Sequence, residues 1–192
     1  AGLAGDAADS GPHTLVLSIA AGVSLQTLSE ALATGRIVRA MPNTPAQIGK
    51  GITGAVGLDI SAEDREIASA LLRAAGELIW FDAEEKLDAV TAISGSGPAY
   101  VFYLTEALAT AAIRQGLEPE QAMRLARQTV TGAAALMEAD PQPASVLREN
   151  VTSPKGTTAA ALQVLMGPNG LEGLMDRAVI AARRRSEELG RE

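Results

Sequence analysis

Apolar residues recur along this 192-residue chain in two rhythms, a short-run pattern that alternates with helical spacing and then helical spacing alone. His13 to Ala20 (HTLVLSIA) is a continuous apolar run after a Gly-Pro turn, which predicts a strand buried on both faces. Ser24 is placed to cap a helix whose Leu25, Leu28 and Leu32 repeat at helical spacing, with Gly35 at its stop. Arg36 to Met41 (RIVRAM) reads as a second strand, so the three elements form a βαβ unit with parallel strands. Ile52 to Leu58 predicts a glycine-weakened strand. Ser61 and Asp64 make a capping-box pattern before a helix carrying Ile67, Leu71 and Leu72, closed by Gly76, and Leu78 to Phe81 is the last strand.

Strand signals end near Asp82. Ala83 to Val90 begins a helix rich in Glu84, Glu85 and Asp88, acids that suit a solvated first turn. Ser94 to Pro98 (SGSGP) predicts a tight turn, with Pro98 opening a long helix through Gln115. Gly116 stops it. A helix from Pro119 carries Ala122, Leu125, Ala126, Val130, Ala133, Leu136 and Met137 on one face, and Pro141 and Pro143 end it. A short helix from Ala144 to about Asn150, another reaching Met166, and a final one with Leu171, Leu174, Met175, Ala178, Val179 and Ala182 inside complete the chain. Arg183 to Arg185 read as a solvated face. The fold class is therefore α/β followed by an all-α domain, divided near Asp82. Pro98 to Ile113 is apolar nearly all round, which calls for partner helices in a homo-oligomer.

Composition narrows the chemistry. A net charge of −7 argues against a general nucleic-acid or acidic-membrane surface. There is no Cys and a single His, His13, which removes thiol catalysis and Cys/His zinc sites and makes a Ser-His-Asp triad improbable. Residues 1 to 12 lack the basic and apolar regions of a secretory signal, and no run is long enough to span a membrane, so a cytoplasmic protein is expected. SGSGP matches the GxSxG elbow poorly, since Ser94 stands where Gly is required.

The richest chemistry lies from Asn150 to Met166 (NVTSPKGTTAAALQVLM). Thr152, Ser153, Thr157 and Thr158 flank Pro154 and Gly156 directly before an alanine-rich helix. Two readings stay open on local grounds: the hydroxyls cap the helix, or with its free N–H groups they form an anion site. The loop Pro42-Asn43-Thr44-Pro45 follows a strand's carboxyl end, where α/β sheets bind ligands, but by itself it reads as an ordinary Pro-bracketed loop.

Several stretches together resemble one family, pyrroline-5-carboxylate reductase: SIAAGV at 18 to 23, RAMPNTPA at 39 to 46, DAVTAISGSGPAY at 88 to 100 and LRENVTSPKGTT at 147 to 158. The resemblance implies that residues 1–82 are the C-terminal part of a dinucleotide-binding, partial Rossmann-type parallel sheet. It makes 83–192 an all-α substrate-binding and dimerisation domain. It further implies reduction of 1-pyrroline-5-carboxylate to L-proline with NADPH or NADH, the last step of proline biosynthesis. Ile19, Ala20 and Ala21 would line the cofactor's nicotinamide half, and Asn150 would serve substrate and cofactor. Thr157 and Thr158, with Ser153 nearby, would hold the substrate's carboxylate and ring nitrogen, Thr158 being the candidate catalytic residue, and Glu84 would be a further substrate-pocket acid.

The sequence departs from the family at two places. Lys155 stands where a Gly is usual. No GxGxxG turn precedes Leu15, and GKGITG at 49 to 54 is no substitute, so the sequence resembles a member without its first βαβ units. A chain of only this length would be expected to bind nicotinamide cofactor poorly. Two rival readings are a hydroxy-acid dehydrogenase, for which only Lys155 offers a base, and a non-catalytic helical oligomerisation module.

Overall fold

A computed structural model describes residues 14–32 and 34–190. His13 and the lead-in at 1 to 12 lie outside the described residues. Among these the chain forms two compact units: one runs to Pro98 and takes the chain back from Val179, and the other is Ala99–Ala178.

The first unit holds a four-stranded sheet in the order β1-β2-β3-β4, with β1 Val16–Ser18, β2 Ile37–Met41, β3 Gly51–Leu58 and β4 Gly76–Trp80. β1 pairs with β2 and β3 with β4 in parallel, each across a helical crossover, α1 (Leu25–Leu32) and α2 (Ala62–Arg73). The central pair, β2 and β3, is antiparallel, with Ile37 opposite Leu58 and Met41 opposite Gly54. The link Pro42 to Lys50 explains this: it holds only a 3₁₀ turn at Thr44–Ile48, too short for the crossover that parallel pairing needs. β1 is shorter than the apolar run predicted. It is half-buried rather than buried on both faces, because among the described residues it is paired on one side only.

Strand periodicity sorts the core into two layers. Ile37 and Val56 face Leu25 and Leu28 of α1 and Leu87, while Val38, Ala40 and Ala55 face Ala68 and Leu72 of α2. Ser61 caps α2 as expected, its Oγ accepting from Asp64 N–H while Asp64 Oδ2 accepts from Ser61 N–H. The face α2 turns inward is Asp64, Ala68 and Leu72; Ile67 and Leu71 stay exposed. Trp80 is half-buried, with Nε1 donating to Ser69 Oγ at 3.0 Å and the Arg65 guanidinium 4.4 Å from the ring centre.

After β4 comes α3 (Lys86–Val90), which runs on through a π-helical turn, Thr91–Gly95, into α4 (Gly97–Arg114). The predicted tight SGSGP turn is thus a widened helix, in which Ser96 N–H donates to Thr91 O at 2.9 Å. Ser94 Oγ donates back to Val90 O within that widened turn.

The second unit is helical: the rest of α4, α5 (Pro119–Ala139), α6 (Ala144–Asn150), α7 (Thr157–Leu165) and the start of α8 (Leu171–Leu189). Its buried apolar residues are small: Ala109 of α4 clusters with Ala122 and Ala126 of α5. The larger side chains on the predicted inner faces are exposed in the single chain, including Leu125, Leu136 and Met137 on α5 and Leu171, Leu174 and Met175 on α8. On α4, Phe102 and Tyr103 are 64% and 72% exposed. No described helix is long and apolar enough to cross a membrane.

Candidate functional site

α7 starts without any side-chain cap. Its N-cap is Gly156, at φ −82° and ψ 175°, and no side chain bonds the first N–H groups, so capping is not what the flanking hydroxyls do. Such a start carries unpaired donors and the positive end of the helix dipole, a setting that favours an anion. Thr157 and Thr158 are its first two helical residues, Thr157 exposed and Thr158 half-buried.

The turn before it is tightly drawn. Gly156 N–H donates to Ser153 O at 3.0 Å, with Lys155 between them in the left-handed region at φ +60°. A methyl on Gly156 would collide with Ser153 Oγ, so only glycine leaves that hydroxyl at the helix entrance. Thr152 is drawn the other way, its Oγ1 donating to Arg148 O at 2.6 Å. Asn150 ends α6, exposed. Asn150, Ser153, Thr157 and Thr158 thus share one short stretch of the helical unit.

The other predicted residues belong to the sheet unit. Ile19, Ala20 and Ala21 follow the carboxyl end of β1, with Ile19 and Ala21 exposed and Ala20 N–H donating to Ser18 Oγ. Gly22 turns the chain at φ +74°, and Ser24 Oγ caps α1 by accepting from Thr27 N–H.

Glu84 is not a solvated helix-start acid. Its Oε1 accepts from Leu25 N–H at 2.8 Å and from Arg39 Nη1 at 2.5 Å. Arg39 reaches it because the two-residue strand period puts Arg39 between Ile37 and Met41, on the α1 face. Asp88 is likewise engaged, accepting from Ser186 Oγ at 2.6 Å. A polar cleft of about 400 Å³ lies here, lined by Ser24, Arg39, Glu84, Asp88, Arg183 and Ser186. Sequence reasoning missed Arg39 and Ser186, although a charge at an inward strand position was a usable signal for Arg39. Asn43 is structural, its Oδ1 accepting from Ile52 N–H at 2.9 Å and pinning the start of β3. Arg183 and Arg185 pair along α8 with Glu187 and Glu188, as a solvated face should. Among the described residues no group of three or more His, Asp or Glu side chains could hold a metal ion.

Fold and site define an α/β protein with an open carboxyl edge, joined to a helical unit that presents an uncapped helix start and exposed apolar faces. A protein-family model described as pyrroline-5-carboxylate reductase dimerisation matches residues 84–189. The pyrroline-5-carboxylate reductase of Pseudomonas aeruginosa is 45% identical over 181 residues, covering 93% of this chain and 66% of that protein. The Arabidopsis thaliana enzyme is 42% identical over 178 residues, covering 92% and 64%. A solved Coxiella burnetii pyrroline-5-carboxylate reductase superposes with a TM-score of 0.85 at 40% identity, over 91% of this chain and 65% of that one. A Plasmodium falciparum pyrroline carboxylate reductase, solved with NADP bound, gives 0.78 at 32% identity over 92% and 71%.

The chain belongs to the pyrroline-5-carboxylate reductase family, as its motifs implied. It spans about two thirds of the length of the curated relatives it matches, 66% and 64% for the two named.

Proposed function

We infer that the protein reduces 1-pyrroline-5-carboxylate to L-proline with NADPH or NADH, as the last step of proline biosynthesis, and works as a cytoplasmic homo-oligomer. The observation that carries this reading is the α7 start, where free N–H groups stand beside the hydroxyls of Ser153, Thr157 and Thr158 with no cap to occupy them.

A carboxylate suits that position, and Asn150 extends the polar set by family correspondence. The imine nitrogen can arrive protonated, so no strong acid or base is required of the chain. What the chain supplies is orientation: the helix start fixes the carboxylate and Thr158 hydrogen bonds the ring nitrogen. The exposed turn Ile19 to Ala21, at the carboxyl end of a parallel strand, suits the apolar flank of a nicotinamide, and that group when bound supplies the hydride.

The test is turnover by the full chain, with 1-pyrroline-5-carboxylate compared against 2-hydroxy and 3-hydroxy acids. Oxidation of NADPH or NADH with the pyrroline alone is expected. Turnover of hydroxy acids, or an oligomer that neither binds cofactor nor turns over, would overturn the reading.

A further inference from the structure

The turn between β1 and α1 is held from several sides by residues distant in sequence. At its far end Glu84, 59 residues away, accepts from Leu25 N–H, and Arg39 locks the same carboxylate oxygen in place. Behind it lies the end of α8: a methyl built on Gly22 would stand 3.2 Å from the Leu189 carbonyl oxygen. Ser186, one turn earlier on α8, is tied to Asp88.

A carboxylate accepting one bond from a guanidinium and one from a helix-start N–H is held by two charge-assisted interactions, stronger and more directional than neutral ones. With Arg39 only 13% exposed, this pair is a fixed strut rather than a surface ion pair. We propose that Glu84 and Arg39, with the last turn of α8, are positioning residues that set the shape of the Ile19 to Ala21 turn for nicotinamide cofactor. Glu84 acts through Leu25 and touches neither cofactor nor substrate. The proposal rests on the reading that this turn flanks the cofactor.

The experiment titrates the full chain with NADPH, NADH and, separately, L-proline. Glu84→Ala should weaken cofactor binding about tenfold, the size of one lost charge-assisted hydrogen bond, and leave L-proline within about twofold. Glu84→Gln, which keeps an acceptor for Leu25 N–H, should recover most of the loss. Adding Arg39→Ala to Glu84→Ala should cost little more, because both remove one strut. If Glu84→Ala weakens L-proline and spares cofactor, Glu84 is a substrate-pocket acid and the proposal is overturned. Equal weakening of both ligands with a lowered Tm, unrescued by Gln, marks a merely structural residue and also overturns it. A wild-type chain that binds no nicotinamide sinks the underlying reading itself, an outcome visible before any variant is made.

Discussion

Arg36 grips Asp64 as a fork, its Nε donating to Oδ2 at 3.2 Å and its Nη2 to Oδ1 at 2.5 Å, and so ties the start of β2 to the first turn of α2. The Arg36 hydrogen bond and then the Ser61 N–H pull the Asp64 carboxyl from its ordinary 3.8 down to about 2. A group whose pKa is lowered on folding stabilises fully above its unfolded value and loses that contribution as pH falls through the folded one. Asp64→Asn should therefore lower Tm by a constant amount near neutral pH. The gap to wild type should narrow below 3.8 and close by about 2. Thermal melts across that range check it, and a gap that persists at the acid end contradicts the assignment.

Thr158→Ala removes the hydroxyl proposed for the ring nitrogen and leaves the helix start intact. We expect kcat/KM to fall at least tenfold, about 1.4 kcal/mol of transition-state stabilisation. Steady-state kinetics with 1-pyrroline-5-carboxylate measure it, and unchanged kinetics would remove Thr158 from the mechanism.

Gly156→Ala probes the turn by crowding. Backbone geometry at φ −82° tolerates alanine, so the strain falls on Ser153, chiefly its Oγ and then its carbonyl oxygen at 3.1 Å. L-proline affinity should drop about tenfold, within the usual cost of a forced methyl, while Tm moves little. Calorimetric titration beside a melt separates the two.

Exposed aromatics on α4 need a covering surface, and the proposed homo-oligomer supplies one. Phe102→Glu places a charge in that face and should weaken self-association about thirtyfold or more, as loss of an aromatic anchor does. Sedimentation over a dilution series reads the change; an unaltered assembly would place the interface elsewhere.

Leu87 is 1% exposed and packs against Leu25, Leu28, Ile37 and Val56. Leu87→Ala should cost about 2–5 kcal/mol through the cavity it leaves. Urea unfolding gives the value, and a loss below about 1 kcal/mol would mean the core refills the space.

Much of this protein was legible because it is encoded by neighbours in the chain. The Ser61 and Asp64 box, Pro119 at a helix start and the alternation of Ile37 and Val38 between faces each depend on residues a few positions apart, so the letters alone determine them. The family motifs were legible in the same way. Only the tertiary structure could decide the rest. Glu84 reads as a solvated acid until the sheet brings Arg39, 45 residues away, onto its carboxylate, and Ser186 meets Asp88 across 98 residues. Helical spacing marked Leu136 and Leu174 as inward, yet among the described residues nothing covers them and both stay exposed. The hydroxyls before α7 could cap or leave the helix start free. In the fold the N-cap position falls to Gly156, which has no side chain to cap with, and no hydroxyl bonds the first N–H groups.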